Sequence, residues 1–344
     1  MTNRVEIDLC PKSLFPKLTT FIDEYWRKGH RMVRDFELMR WQHYDEVKGV
    51  WNFVIALRDE DILGVLGFID SRHFEREIQE RSVVWLAIWK VRQDLPVAGL
   101  GLRLRSHVAK LHPQAMAAVG LNKTTLPLYL RFGFATGIMD HYYKINVGKD
   151  SLQITSGISK DDFISKQSQD WHSLIPLPEA SLEGFLKKIK LPTNIFPAKG
   201  ISYLQRRYVQ HPVYQYQFFG VVDRDGGNCG VVVLRTVFHE SSCALRIVDF
   251  VGDEAKLGGL DASFNDLLSK TGAEYIDILC HGVRGETLES SGFKKLNHEG
   301  SVIIPNYFEP FVRENIPIHF AYKNSQADIR PLFFKGDADQ DRPN

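Results

Sequence analysis

The chain has 344 residues, 44% apolar and 25% charged, enough for two domains of ordinary composition, which excludes a single small module and a disordered chain. No segment approaches the roughly 20 consecutive apolar residues of a membrane span, so none is expected. Lys plus Arg number 43 against 42 Asp plus Glu, a formal +1 that would not gather a polyanion, and no nucleic-acid partner is expected.

The opening MTNRVEIDLC carries acids and no apolar core, so it does not read as a signal peptide, and a cytoplasmic protein is predicted. Leu14, Leu18, Phe21, Ile22 and Tyr25 then fall on one helical face, and a second helix is expected over about 34–47. Strand-like runs follow at 52–57, 62–69 and 82–91, the first two joined by the polar turn Arg58-Asp59-Glu60-Asp61. A glycine-containing turn opens into a helical pattern within 95–112. A strand at 115–121, a short helix at about 124–132 and a pair of strands within 137–145 close the half.

Residues 146–178 are polar and aperiodic, which reads as a connector; the boundary is placed near 150–165, between domains of 1–150 and 165–344. The second half repeats the order. Strands are expected at 216–223, 229–238 and 245–252, a helix carries Leu260, Phe264, Leu267 and Leu268, and a strand at 274–280 precedes a short helix ending at Gly292-Phe293. Two more strands are predicted at about 301–309 and 317–322. The acid-rich end, Asp337-Ala338-Asp339-Gln340-Asp341, begins like a calcium loop but lacks its glycine and final glutamate, and is expected to be a solvated tail. Cys10, Cys229, Cys243 and Cys280 are too scattered for a disulfide framework or a zinc site, so buried thiols and no metal are predicted.

The informative stretch is 91–134. A strand ending at Val91, a turn holding Gly99-Leu100-Gly101 and a helix beginning there place unpaired N–H groups at a helix N-terminus, an anion site to which Arg103 and Arg105 add charge. Asn122, Leu128, Tyr129, Gly133 and Phe134 follow at fixed spacing. Together the two motifs resemble the acetyl-CoA pyrophosphate loop and following helix of the GCN5-related N-acetyltransferase (GNAT) superfamily. Pro96 stands where that family has Gln or Arg, and Thr125 where it has Ala.

The resemblance implies an α/β (α+β) architecture of two GNAT-like domains, each with a mixed, mostly antiparallel central sheet flanked by helices. It implies acetyl-CoA or another acyl-CoA as cosubstrate, held by Val91, Val97, Ala98, Gly99, Leu100, Gly101, Leu102, Arg103 and Asn122. Tyr129 would protonate the departing thiolate; a tyrosine of ordinary pKa near 10 is protonated at neutral pH. The strand at 82–91 lacks the acid many members use as base, and Asp70 and His73 are the nearest candidates by topology.

In the second half the matching loop, Asp253 to Gly259, holds two carboxylates, and Leu288 replaces the tyrosine, so no second CoA site is expected. Asp249 lies in an apolar strand and must pair, with Arg246 or Arg235, or face a cleft. Arg207, Tyr208 and His211, in a basic and aromatic stretch, suit a phosphorylated sugar or a nucleobase, and with Asp249 form the predicted acceptor-binding set. This half resembles acyltransferases of surface-polysaccharide biosynthesis. The reading is an acyl-CoA-dependent N-acyltransferase whose acceptor is a small polar amine such as a nucleotide-linked amino sugar. A FemABX-like aminoacyl transferase and a non-catalytic binding protein of the same fold are the alternatives.

Overall fold

The computed structural model describes residues 4–78, 81–111, 113–149, 151–159 and 170–343; the expected boundary at 150–165 falls partly outside them. The strands that build the core are β1 (Glu6–Pro11), β2 (Val50–Arg58), β3 (Asp61–Asp70), β4 (Val83–Val91), β5 (Ala115–Leu121), β6 (Ala135–Ile138), β7 (Asp140–Ile145), β8 (His172–Pro176), β9 (Gln217–Asp223), β10 (Asn228–His239), β11 (Ser242–Gly252), β12 (Tyr275–His281), β13 (Lys294–Lys295), β14 (His319–Asn324) and β15 (Phe333–Phe334). The helices that matter below are α1 (Phe15–Phe21), α2 (Phe36–His43), α3 (Leu100–Ala109), α4 (Leu126–Arg131), α5 (Asp261–Thr271) and α6 (Gly285–Glu289).

Two eight-stranded sheets result. The first runs β1-β2-β3-β4-β5-β14-β6, with the short Tyr44–Asp45 strand also on β2; the second runs β8-β9-β10-β11-β12-β7-β13, with β15 on β12. In each, one neighbouring pair is parallel, β4 with β5 and β11 with β12, and the other pairings are antiparallel. Strand β3 is buried along nearly its whole length because both faces of its sheet are covered. Leu100, Leu104 and Val108 of α3 pack on one face and Leu18, Phe21, Leu38 and Met39 of α1 and α2 on the other. A third cluster joins Val83, Trp85 and Ala117 of the first sheet to Val231, Val233 and Val248 of the second.

Two expectations are corrected. The paired strands within 137–145 do not stay together: β6 remains in the first sheet, and β7 crosses to the second, between β12 and β13. In return β14, from the last thirty residues, enters the first sheet between β5 and β6. Alternating apolar residues mark a strand but not its partner, so this reciprocal exchange left no trace in the pattern. The strand at 301–309 is replaced by a Ser156–Ile303 bridge and a two-residue hairpin of Tyr307–Phe308 with Phe311–Val312.

Both parallel pairs splay into wedges. β4 and β5 pair only from Val83 opposite Ala115 to Trp85 opposite Ala117, and β11 and β12 only from Leu245 opposite Ile276 to Ile247 opposite Ile278. A bulge lies beside each divergence. Phe68 faces Leu86 and Leu66 faces Trp89, so Ala87 and Ile88 oppose the single residue Gly67; in the second sheet Val248 is the extra residue.

The wedges differ in what fills them. In the second sheet, β15 lies along β12, Lys335 N–H donates to Leu279 O at 3.0 Å, and Gly336 N–H donates to the bulge carbonyl of Val248 at 2.9 Å. The chain's own end therefore closes that wedge. The solvated-tail expectation is overturned: Lys335, Asp337, Ala338 and Asp341 are each at most 3% exposed.

Candidate active site

The first wedge is open. It widens into a cavity of about 570 Å³ lined by Leu86 to Trp89 and Val91 of β4, Val119 to Leu121 of β5, Gly101, Asn122 and Tyr129, and, from elsewhere in the chain, Trp26, Asp339, Gln340 and Arg342. Two residues before Gly101, Gly99 has φ +69, which lets the chain turn directly into α3, and a Cβ there would meet nothing within 4 Å. Leu100 N–H donates to Val97 O and Arg103 N–H to Gly99 O. The N–H groups of Gly101 and Leu102 stand in the first turn, which offers them no intrahelical acceptor. A Cβ on Gly101 would lie in ordinary contact with the Trp89 indole, at 3.4 Å from its nitrogen, so the helix start and this cavity wall stand side by side.

Tyr129 enters the cavity from α4, a helix begun by Pro127 after a turn that Asn122 caps: Thr124 N–H donates to Asn122 Oδ1 at 3.0 Å. Its ring meets Trp89 and Phe134 edge-on, and the side chain is 3% exposed. Among the described residues no group bonds its hydroxyl. Burial pushes its pKa up and nearby Arg105 opposes that, so the phenol keeps its proton. On the facing strand, the bulge at Ala87–Ile88 takes backbone groups out of the ladder, the kind of arrangement that can offer an N–H to a developing oxyanion.

The sequence-predicted residues divide. Val91, Gly101, Asn122 and Tyr129 line the cavity; Val97, Ala98, Gly99 and Leu100 do not, but form the turn that runs into Gly101, with Leu100 buried. Leu102 and Arg103 face away, into a separate concavity with Arg4, His107 and Lys110, and Arg103 donates to Val5 O at 3.2 Å.

Neither proposed base reaches the site. Asp70 caps the turn after β3 and is bound by Arg72 at 2.6 Å; His73 Nε2 lies 2.9 Å from Trp41 O on another face. Asp70 pairs with Val84 at the closed end of the wedge, so an acid at the end of β3 points away from the opening.

The predicted acceptor-binding set is internal. Asp249 is fully buried and pairs with Lys199 at 2.5 Å, not with Arg246 or Arg235, and accepts from Tyr208 at 2.7 Å. Arg207 donates to Gly336 O and Ala338 O, and burial together with Arg207 lowers the His211 pKa to about 3. Of the four, Arg207 alone bonds the C-terminal segment directly; Tyr208 donates to Asp249, Asp249 reaches that segment only through the Lys199 it shares with Asp337, and His211 Nδ1 accepts from Val213 and Tyr214 N–H. Arg246 instead grips Asp277, and Arg235 holds Asp341 at 2.7 Å.

Sequence reasoning missed Trp26, Asp339, Gln340 and Arg342. For the last three the one signal was Phe333-Phe334, an apolar pair able to pin an otherwise polar tail; nothing pointed to Trp26. Gln340 donates to Val119 O at 3.2 Å and its carboxamide lies where a Cβ on Gly120, φ +83, would sit. Among the described residues no cluster of His, Cys, Asp or Glu could hold a metal, and no helix is long and apolar enough to cross a membrane.

No family model and no curated protein matches the sequence. Solved structures do. A GCN5-related N-acetyltransferase from Anabaena variabilis superposes with a TM-score of 0.56 at 12% identity over 94% of this chain and 73% of its own. A conserved Enterococcus faecalis protein of unknown function, a candidate N-acyltransferase, gives 0.52 at 8% over 94% and 72%. At such identities the likeness is one of fold, and the fold is that of tandem GNAT-like domains, as the sequence predicted.

Proposed function

We propose that the chain is an acyl-CoA-dependent N-acyltransferase, with acetyl the first acyl group to test, and that the first wedge is its donor site. The observation that carries this is the difference between two otherwise equivalent wedges. One is sealed by the chain's own strand, and the other stays open with a left-handed glycine, a bare helix N-terminus and an unbonded tyrosine hydroxyl around it.

The residues suit the cosubstrate. The turn from Val97 to Leu102 offers N–H groups to a pyrophosphate. The flared β4 and β5 edges offer unpaired backbone groups to an amide-bearing arm, as β11 and β12 do to Lys335 and Gly336. When bound, the acyl-CoA supplies an activated thioester carbonyl; Tyr129 holds the proton that sulfur needs on leaving. The acceptor is assigned to small polar amines. A nucleotide-linked amino sugar is one candidate, its case resting on the cavity alone now that Arg207, Tyr208, His211 and Asp249 serve the interior.

Acetyl-CoA binding is the direct test. A ligand at 100 times its dissociation constant adds about 2.7 kcal/mol to stability, so unfolding should shift upward by several degrees. An unchanged transition at millimolar acetyl-CoA removes the donor-site assignment.

A further inference from the structure

We propose that Asp339 receives the acceptor amine in the first wedge and takes its proton during acyl transfer. This rests on the reading of that wedge as the donor site, and supplies the base that neither Asp70 nor His73 can be. Among the described residues that line the cavity, Asp339 is the single carboxylate.

Its two oxygens are used differently. Oδ1 accepts from Gln42 Nε2 at 2.9 Å and meets Arg342 Nε at 2.8 Å, whereas no group among the described residues bonds Oδ2. The side chain keeps 14% of its surface exposed, so Oδ2 has access to the cavity that Asp339 lines. A carboxylate pinned through one oxygen and bare on the other is oriented before substrate arrives.

Its backbone is equally fixed. Lys199 binds Asp337 at 2.7 Å, Arg207 holds the carbonyls of Gly336 and Ala338, and Asp341 is bound by Arg235 and Tyr216. Of the groups around the carboxylate, His30 and His43 are held neutral at physiological pH, burial lowering each to about 4, and the Arg342 Nε lies against Oδ1. Oδ2 is therefore left to an incoming cation or proton.

The transfer balances as follows. The amine nitrogen attacks the thioester carbonyl carbon, the N–C bond forms, and the C–S bond breaks with its electron pair leaving on sulfur. The surplus proton on nitrogen passes to Oδ2, sulfur takes the Tyr129 proton, and the proton on Asp339 returns to the phenolate through solvent. The nitrogen of the tetrahedral adduct is acidic, so a weakly basic carboxylate suffices.

Asp339→Asn is the test variant because asparagine keeps a carbonyl oxygen for Gln42 and Arg342 and alters only the cavity-facing atom. Thiol release from acetyl-CoA is followed with glucosamine, spermidine and glycinamide, and acetyl-CoA affinity by calorimetry. We expect kcat/KM for the amine to fall about 10²-fold while the acetyl-CoA Kd stays within about twofold, and Asp339→Ala to regain about tenfold in added formate. A variant as active as the parent, or an alanine variant indifferent to formate, overturns the role. If the parent binds acetyl-CoA but acylates none of the three amines, the role falls and the donor site stands. If it binds no acetyl-CoA, both fall.

Discussion

Tyr129 is buried, set edge-on against Trp89 and Phe134, and unbonded at its hydroxyl among the described residues, so its ring serves packing and its oxygen is left over for something else. Those two roles separate in a single substitution. Tyr129→Phe keeps the edge-on ring contacts and removes only an oxygen that no described residue uses, so thermal stability and acetyl-CoA affinity should stay near the parent values. The turnover number should fall by about 10²-fold, the usual worth of a positioned acid; steady-state thiol release alongside calorimetry gives both numbers. Equal losses of affinity and turnover would return Tyr129 to the role of a packed aromatic. This residue was legible in the sequence because its motif is local, all within 122–134. Asp339 was not. It lies more than 200 residues from that motif, and an acid flanked by acids reads as solvated until Gln42 and Arg342 are known to face it.

At the scale of elements, the C-terminal segment is the feature the sequence concealed most completely. Each aspartate of the Asp337-Ala338-Asp339-Gln340-Asp341 run meets its own cation, Lys199, Arg342 or Arg235, two of them far away in the chain. Lys199 serves two carboxylates at once, Asp249 and Asp337, and that surplus of negative charge has a consequence for stability. Burial, then the neighbouring Asp337, raises the Asp249 pKa from the usual 3.8 to about 6. A carboxyl whose folded pKa is raised binds its proton more tightly in the folded state. Its contribution is full below the unfolded value and is lost as pH rises through about 6. Asp339 and Asp341 act oppositely. Burial alone would raise them, but Arg342 and Arg235 more than offset it and hold both below the usual range, so their contribution is lost only in stronger acid. Between pH 4.5 and 7 the parent should therefore lose about 2 kcal/mol relative to Asp249→Asn, which cannot titrate there. Urea midpoints of the two proteins at both pH values measure the difference; parallel behaviour would mean that Lys199 holds Asp249 ionised throughout.

For the whole molecule, the exchange of β7 and β14 decides how the two sheets share their fate. Either half alone would lack the strand that lies beside its parallel pair, leaving β5 and β6, or β12 and β13, with unpaired edges in the middle of a sheet. The sequence repeat, hairpin strands then helix, strand, helix and strand, was legible because period and turn residues are local properties. It suggested two self-contained units because nothing local distinguishes a strand that stays from one that leaves. A third tie reinforces the exchange: the segment carrying β15 fills the second wedge and then lines the first, so undocking it exposes Phe333 and Phe334, both fully buried, and opens the cavity wall in one motion. Chains of two independent domains commonly unfold in two steps, and a calorimetric enthalpy larger than the van't Hoff value betrays them. Here a single transition is expected, with the two enthalpies equal, because neither sheet can lose its borrowed strand and remain closed. The same coupling should make acetyl-CoA, bound only in the first wedge, raise the unfolding temperature of both sheets together. Two transitions of which the ligand moves one would show that the borrowed strands are held more loosely than their pairing implies.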